Sequence, residues 1–363
     1  MRFEWARGKG CLCSLRRASR FSVALILISI VAVCSAALPM ANALTRVGAL
    51  TLNTGENTLY SAVIDTANGY AYFGTATAPG IVVKVRLSDF TRVGALTLQS
   101  GEDWLYSAVI DTANGYAYFG TQTVPGIVVK VDLSTFTRVG ALTLNTGEND
   151  LRSAAIDAAN GFAYFGTYSW PGIIVKVRLS DFTRAGALTL NLGEDRLYSA
   201  VIDTANGYAY FGTETAPGIV VKVRLSDFTR VGALTLQSGE DILRSAVIDT
   251  ANGYAYFGTI TSPGIVVKVD LSTFTRVGAL TLNTGEDYLK SAVIDTANGF
   301  AYFGTMTSPG IVVKVETNRR PAAPVGGVFT PVNKLAILAP YLALIGLLGA
   351  VTVAVVTKRR RKA

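Results

Sequence analysis

Eight residues carry side chains suited to gripping a partner: Trp104, Tyr168, Trp170, Tyr288, Arg152, Arg196, Arg244 and Glu214. Large aromatic rings bury much area at small entropic cost, and arginine adds a flat cation with several donors. These residue types dominate the energetics of contact surfaces. The sequence also lacks much of the usual chemistry. There is no histidine in the 363 residues, and the three cysteines, Cys11, Cys13 and Cys34, all lie near the N-terminus. That excludes Ser-His-Asp triads, histidine general bases, and histidine or thiolate zinc sites from the remainder of the chain. No catalytic residue, cofactor or metal is assigned on this reading.

The eight residues stand out because their surroundings barely change. "IDTANGYAYFGT" at 64–75 returns at 110–121, 202–213 and 248–259, and with small changes at 156–167 and 294–305. The period is 46 residues without insertion, with repeats opening at Thr45, Thr91, Thr137, Thr183, Thr229 and Thr275. Such a period, filled by short β segments, predicts a propeller with one four-stranded blade per copy.

The first copy shows the strands. "LYSAVI" (59–64) and "YAYFG" (70–74) flank "DTANG", a run of turn formers, and predict a hairpin. "IVVKVRL" (81–87) is a β-branched run suited to a sheet covered on both faces. "RVGALTL" (92–98) follows the "LSDF" turn. These are strands A, B, C and D, with A nearest the axis because Ser61 and Ala62 are small enough to converge. No segment has an apolar stripe at helical spacing. The fold class is therefore all-β, a six-bladed propeller over 44–317. A lone D strand at 46–52 is expected to complete the last blade, which otherwise ends at strand C (to 316), so that the ring has no free edge. A linear β-solenoid is the alternative. Pairs of shared variants 138 residues apart, such as "DLSTF" at 132–136 and 270–274, indicate a duplicated three-blade unit.

In this topology the A–B and C–D loops open on one face, and the D–A and B–C loops on the other. The A–B loop is "DTANG" in five copies and "DAANG" in one. The D–A loop instead reads Thr58, Trp104, Asp150, Arg196, Ile242, Tyr288 at one position, and Tyr60, Tyr106, Arg152, Tyr198, Arg244, Lys290 two residues on. The B–C loop reads Ala76, Gln122, Tyr168, Glu214, Ile260, Met306, and two further on Ala78, Val124, Trp170, Ala216, Ser262, Ser308. Variation gathered on one face is the pattern of a contact surface. Loop tolerance is the plain alternative.

Two repeated charges need a role. Glu56, Glu102, Glu148, Glu194, Glu240 and Glu286 enter strand A on the varied face. They serve either as turn residues or as a carboxylate ring attracting a cation. Lys84 and its equivalents interrupt strand C, and pairing with Asp65 or snorkelling to water is expected.

The repeats over 45–320 resemble the YVTN-type propellers of archaeal and bacterial surface-layer-like proteins. "YFGT" at 72–75 stands where that family carries its Y-V-T-N strand, and "IVVKVRLSDF" at 81–90 stands for its I-D strand. The resemblance implies an extracellular structural or binding protein.

The ends point the same way. Residues 1–43 carry six Lys/Arg and one Glu, and 334–363 carry six Lys/Arg and no acid, while 45–320 hold 21 Lys/Arg against 24 Asp/Glu. The basic ends are topology signals, and the repeats lack the clustered basic surface of a nucleic-acid binder. Residues 1–43 read as an export signal with an "ANA" cleavage pattern at 41–43, retention as an anchor being the alternative. A Pro/Gly-rich linker is expected over 318–334, a membrane helix over 335–357, and a basic cytoplasmic tail over 358–363. The expectation is a single-pass cell-membrane protein with an extracellular propeller. It binds a protein or carbohydrate through the D–A/B–C face, or packs in a surface layer, without catalysis and without nucleic acid. The alternative is a propeller-type hydrolase or lyase with its site at the channel mouth.

Overall fold

The computed structural model describes residues 49–317, and all of their regular structure is β. The strands fall close to expectation: A at Leu59–Asp65, B at Tyr70–Thr75, C at Ile81–Arg86 and D at Thr91–Thr97 in the first blade. The next five blades open at Leu105, Leu151, Leu197, Leu243 and Leu289. Five sheets are antiparallel meanders in the order A-B-C-D, and the sixth runs A-B-C among the described residues. Together they form a six-bladed propeller. The A strands of successive blades pack on one another around a central channel.

Burial follows the pattern of the sequence. Strands B and C are covered on both faces, as a β-branched run requires; Val82, Val83, Tyr118 and Phe119 are at most 1% exposed. Strand D alternates exposed and half-buried, as an outer strand does. A core cluster spans each pair of successive blades: Tyr72, Val82 and Leu98 of the first pack with Leu105, Phe119 and Val129 of the second.

The blades are bolted by a repeated joint. Ser61 Oγ donates to the carbonyl of Leu105 in the next blade at 2.8 Å, and Ser107, Ser153, Ser199 and Ser245 do the same. Gly80 N–H donates to Glu102 O at 2.9 Å, with equivalents at the other joints. Leu105 seats against Gly74, where an added Cβ would stand 2.7 Å from the leucine Cβ, so only glycine fits. Across four of the joints a tyrosine of strand B meets a phenylalanine of the next C–D turn, as Tyr72 meets Phe136 with ring centroids 6.0 Å apart.

Five joints are made this way; the sixth, from the last blade to the first, is not. Leu59 is 46% exposed, whereas Leu105, Leu151, Leu197, Leu243 and Leu289 are each 0% exposed. No leucine lies near Gly304, and Phe90 is half-exposed with no tyrosine against it. The expected N-terminal closure is corrected accordingly. Ala49–Asn53 belong to no strand, and among the described residues the last blade has three strands, ending at Val312–Glu316. With the joint unmade, the chain entering the Asn53–Glu56 turn is fastened to the first blade and does not lie along the last. Residues 46–48 fall outside the described residues, as do the expected signal (1–43), linker (318–334), membrane helix (335–357) and tail (358–363). Among the described residues, no helix is long and apolar enough to cross a membrane.

Candidate functional site: the channel mouth

The constant face is closed by turns that repeat almost atom for atom. Asp65 accepts from the Asn68 backbone N–H at 3.0 Å and from its side-chain amide at 2.7 Å, and the other five A–B turns repeat the pair. The C–D turns use one of two solutions. Asp89 pairs with Arg86 at 2.8 Å, while in the "DLSTF" copies Asp132 accepts from Ser134 N–H at 2.8 Å. Asp89 and Asp132 both titrate below the usual carboxylate range, chiefly through hydroxyl donors from Thr91 and Ser134.

Asp65 is thus spent within its own turn, and the expected pairing of the strand-C lysines with it gives way to ring contacts. Lys84 Nζ lies 4.1 Å from the Tyr70 ring centroid and donates to Leu133 O of the next blade at 3.4 Å. Lys130, Lys176, Lys222, Lys268 and Lys314 sit on rings in the same way. A cation over a ring is partly compensated for its lost hydration.

The acidic residues of the opposite face are clamps. Glu56 accepts from Asn53 N–H at 3.0 Å, and Arg92 of strand D grips the same carboxylate through Nε and Nη2. Arg138, Arg184, Arg230 and Arg276 hold Glu102, Glu148, Glu194 and Glu240. The Arg92 contact holds Glu56 below its usual pKa, against a smaller opposing effect of burial. Of the two roles open to these glutamates, that of turn residue fits: five of them are turn clamps neutralised by arginine. Among the described residues, no group of three or more potential metal donors occurs. Among the described residues, the Glu286 carboxylate meets no arginine and accepts only from Asn283.

Above these clamps the varied residues meet. Tyr168 and Trp170 lie with ring centroids 6.0 Å apart, and Tyr168 meets Tyr198 edge-on at 5.6 Å. Arg196 stacks on Trp170 at 4.0 Å and on Tyr168 at 4.6 Å, and pairs with Glu214 at 3.2 Å. Arg152 lies over Tyr106 at 4.0 Å and pairs with Asp150 at 3.1 Å. Its side chain is only 8% exposed, so it organises the mouth instead of offering itself as a surface contact. Burial pushes the Asp150 carboxyl up, against the pull of Arg152. Arg244 stacks on Tyr198 at 3.9 Å, and Tyr60 stacks on Tyr106 at 4.2 Å.

Trp104 and Tyr288 stand apart from this network. Each is exposed, Trp104 by 41% and Tyr288 by 36%, and neither meets another ring or a cation among the described residues. Of the aromatics on the varied loops, Tyr168 and Trp170 lie together, and Trp104 does not join them.

The structure adds Tyr60, Tyr106, Tyr198 and Lys290 to the site. They line the wall of the channel mouth, an open cavity of about 490 Å³, with Arg152 and Arg244. Their signal in the sequence was variation two residues beyond the D–A position. A second feature was invisible there. Thr58, Trp104, Asp150, Arg196, Ile242 and Tyr288 all adopt left-handed backbone, with φ of 52, 53, 58, 52, 56 and 56°. Glycine is the least strained residue at such φ, and a β-branched one such as Ile242 among the most strained. The site nonetheless carries six different side chains.

Comparison with known proteins establishes the fold and nothing finer. No protein-family model matches the sequence, and no curated protein matches it. Solved structures do. The chain is similar to the structure of U3-55K, with a TM-score of 0.59 and 9% identity over 72% of this chain and 78% of that one. It is similar to the Kuenenia stuttgartiensis hydrazine synthase, with a TM-score of 0.61 and 11% identity over 71% and 84%. It is also similar to the RRP9 WD40 repeats, with a TM-score of 0.59 and 8% identity over 72% and 77%.

Proposed function

We propose that this chain is an exported, membrane-anchored propeller that holds a protein or carbohydrate partner on its D–A/B–C face, without catalysis, in the manner of the YVTN-type proteins it resembles. One observation carries the reading. One varied position, Tyr60, Tyr106, Arg152, Tyr198, Arg244 and Lys290, lines a single channel mouth, and the other varied positions lie in the loops of the same face, while the A–B turns of the opposite face repeat the same bonds. Trp170, 64% exposed, and Trp104, 41% exposed, are the anchors, since exposed aromatics on a rigid ring bury large area at small entropic cost. The basic segment at 358–362 is assigned to the cytoplasm and the repeats to the outside.

The test uses full-length protein in its membrane. Protease added to intact cells is expected to cut the repeats and spare a C-terminal epitope; the reverse pattern would invert the topology. Wild type and a Trp104→Ala/Trp170→Ala variant are then compared for binding to isolated envelope proteins and glycans. Loss of about 2 kcal/mol or more for one partner is expected, whereas an Asp89→Asn change on the constant face leaves that binding intact. Equal loss from both faces, or none from either, would sink the proposal.

A further inference from the structure

We propose that the channel mouth itself is a binding site for a sugar acid, a polyhydroxylated ring bearing a carboxylate. The site is distinct from the loop tips that hold the macromolecular partner. Three cations line this mouth, and one of them, Arg152, is already matched, by Asp150 at 3.1 Å. The other two, Arg244 and Lys290, come from neighbouring blades and form no ion pair among the described residues. Asp241 and Asp287, the acids nearest them in sequence, are paired with neither. Burial and the neighbouring Arg244 both hold Lys290 below its usual pKa. Two adjacent cations in a cavity without a counter-charge favour an anion that sits between them.

The remainder of the wall specifies more than charge. Tyr60, stacked on Tyr106, stands on one side of the pair, and Tyr198, under Arg244, on the other. Tyr60, 39% exposed, offers the apolar face not stacked on Tyr106 to the C–H face of a sugar, while Tyr198 is spent in holding Arg244. Each A strand pairs only with strand B, so its free edge turns peptide N–H and C=O groups toward the channel. Such an edge supplies both donors and acceptors, which a ring of hydroxyls can satisfy and a simple anion cannot. The cavity of about 490 Å³ accommodates one such residue with water, or the end of an acidic chain.

The probe is glucuronate, added to the full-length protein in detergent and followed by calorimetry and ligand-observed NMR. Glucose tests the charge, acetate tests the ring, and a glucuronate oligomer separates a free monomer from a polymer end. Glucuronate is expected to bind at least tenfold more tightly than glucose or acetate. Tyrosine occupies the same position in three other blades, so Arg244→Tyr and Lys290→Tyr replace each cation with a residue the fold already accepts there. The double variant is expected to lose glucuronate binding at least tenfold while melting like wild type, and Lys290→Arg is expected to retain it. Failure of glucuronate to bind at millimolar concentration, equal binding of acetate, or an unaffected double variant would each overturn the assignment. Trp104 touches nothing in the funnel, so loss of partner capture in Trp104→Ala reports on the loop-tip reading alone, and the two proposals fail separately.

Discussion

Each complete repeat holds two non-glycine residues in left-handed backbone, one on each face of the ring. On the C–D turns these are Phe90, Phe136, Phe182, Phe228 and Phe274, and on the D–A turns Thr58, Trp104, Asp150, Arg196, Ile242 and Tyr288. The first position never changes and the second never repeats. At the first, packing explains the choice: Phe136, Phe182, Phe228 and Phe274 each set a ring against a buried tyrosine of the preceding blade. Left-handed backbone costs a non-glycine residue roughly 1–2 kcal/mol, and a buried aromatic contact offsets that. At the second position no side-chain contact recurs, but the backbone bonds do: Trp104 N–H donates to Thr77 O and its carbonyl accepts from Gln122 N–H, each at 2.9 Å, and Asp150, Arg196, Ile242 and Tyr288 repeat the pair. Main-chain bonds of this kind hold the left-handed backbone whatever the side chain, and so leave the side chain at this position free to differ from copy to copy.

The contrast can be broken by substitution, and the largest effect belongs to the packed face. Phe182→Gly relieves the backbone but removes the ring lying 5.8 Å from Tyr118. A loss of about 3 kcal/mol in denaturant unfolding is expected. A change below about 1 kcal/mol would show that the ring does not hold the turn.

The clamp under the varied face comes next. Glu56→Gln is expected to cost about 1–2 kcal/mol at pH 7, since Arg92 loses a carboxylate that is nearly buried. Because the folded pKa of Glu56 is depressed, its contribution is complete above the unfolded value near 4.5 and fades as pH falls through the folded value. Melting curves of wild type and variant should therefore converge below about pH 4.5. A gap that persists in acid would assign the effect to shape rather than charge.

A smaller effect of opposite sign is expected at the strained position. Ile242→Gly should stabilise by about 0.5–1 kcal/mol, because release of the left-handed isoleucine outweighs the added freedom of the unfolded chain. A lowered melting temperature would mean that Ile242 packs after all. Smallest of all, Trp104→Ala should leave stability within about 0.5 kcal/mol, as the ring is exposed and touches no other ring.

Much of the fold was legible in the residues. The 46-residue period, the "DTANG" turns and the β-branched "IVVKV" runs located every described strand to within about two residues, because each is a local signal. The sorting of loops onto two faces was read from the sequence too, and it put Tyr168, Trp170, Arg196 and Glu214 on one face without saying which of them touch. Other features depend on contacts that the sequence order hides. The clamp from Arg92 to Glu56 joins residues 36 apart, and the lysine seats lie across sheet pairs. The unmade sixth joint could not be read at all. Leu59 stands in the same "LYSAVID" as Leu105, and only its neighbours differ.

That missing joint changes what kind of object the ring is. A sealed propeller has no first blade to lose, because every blade is held from both sides. Here the serine bolts run in one direction, from Ser61 to Leu105 and onward to Leu289, and stop. In its energetics the circle is a line of five couplings with two loose ends, so cooperativity passes from neighbour to neighbour as in a stacked array. The terminal blades then fray first, and the innermost rigidity belongs to the third and fourth blades, which also carry Tyr168, Trp170, Arg196 and Glu214. The most crowded part of the mouth is built on the part of the molecule with the least freedom to open.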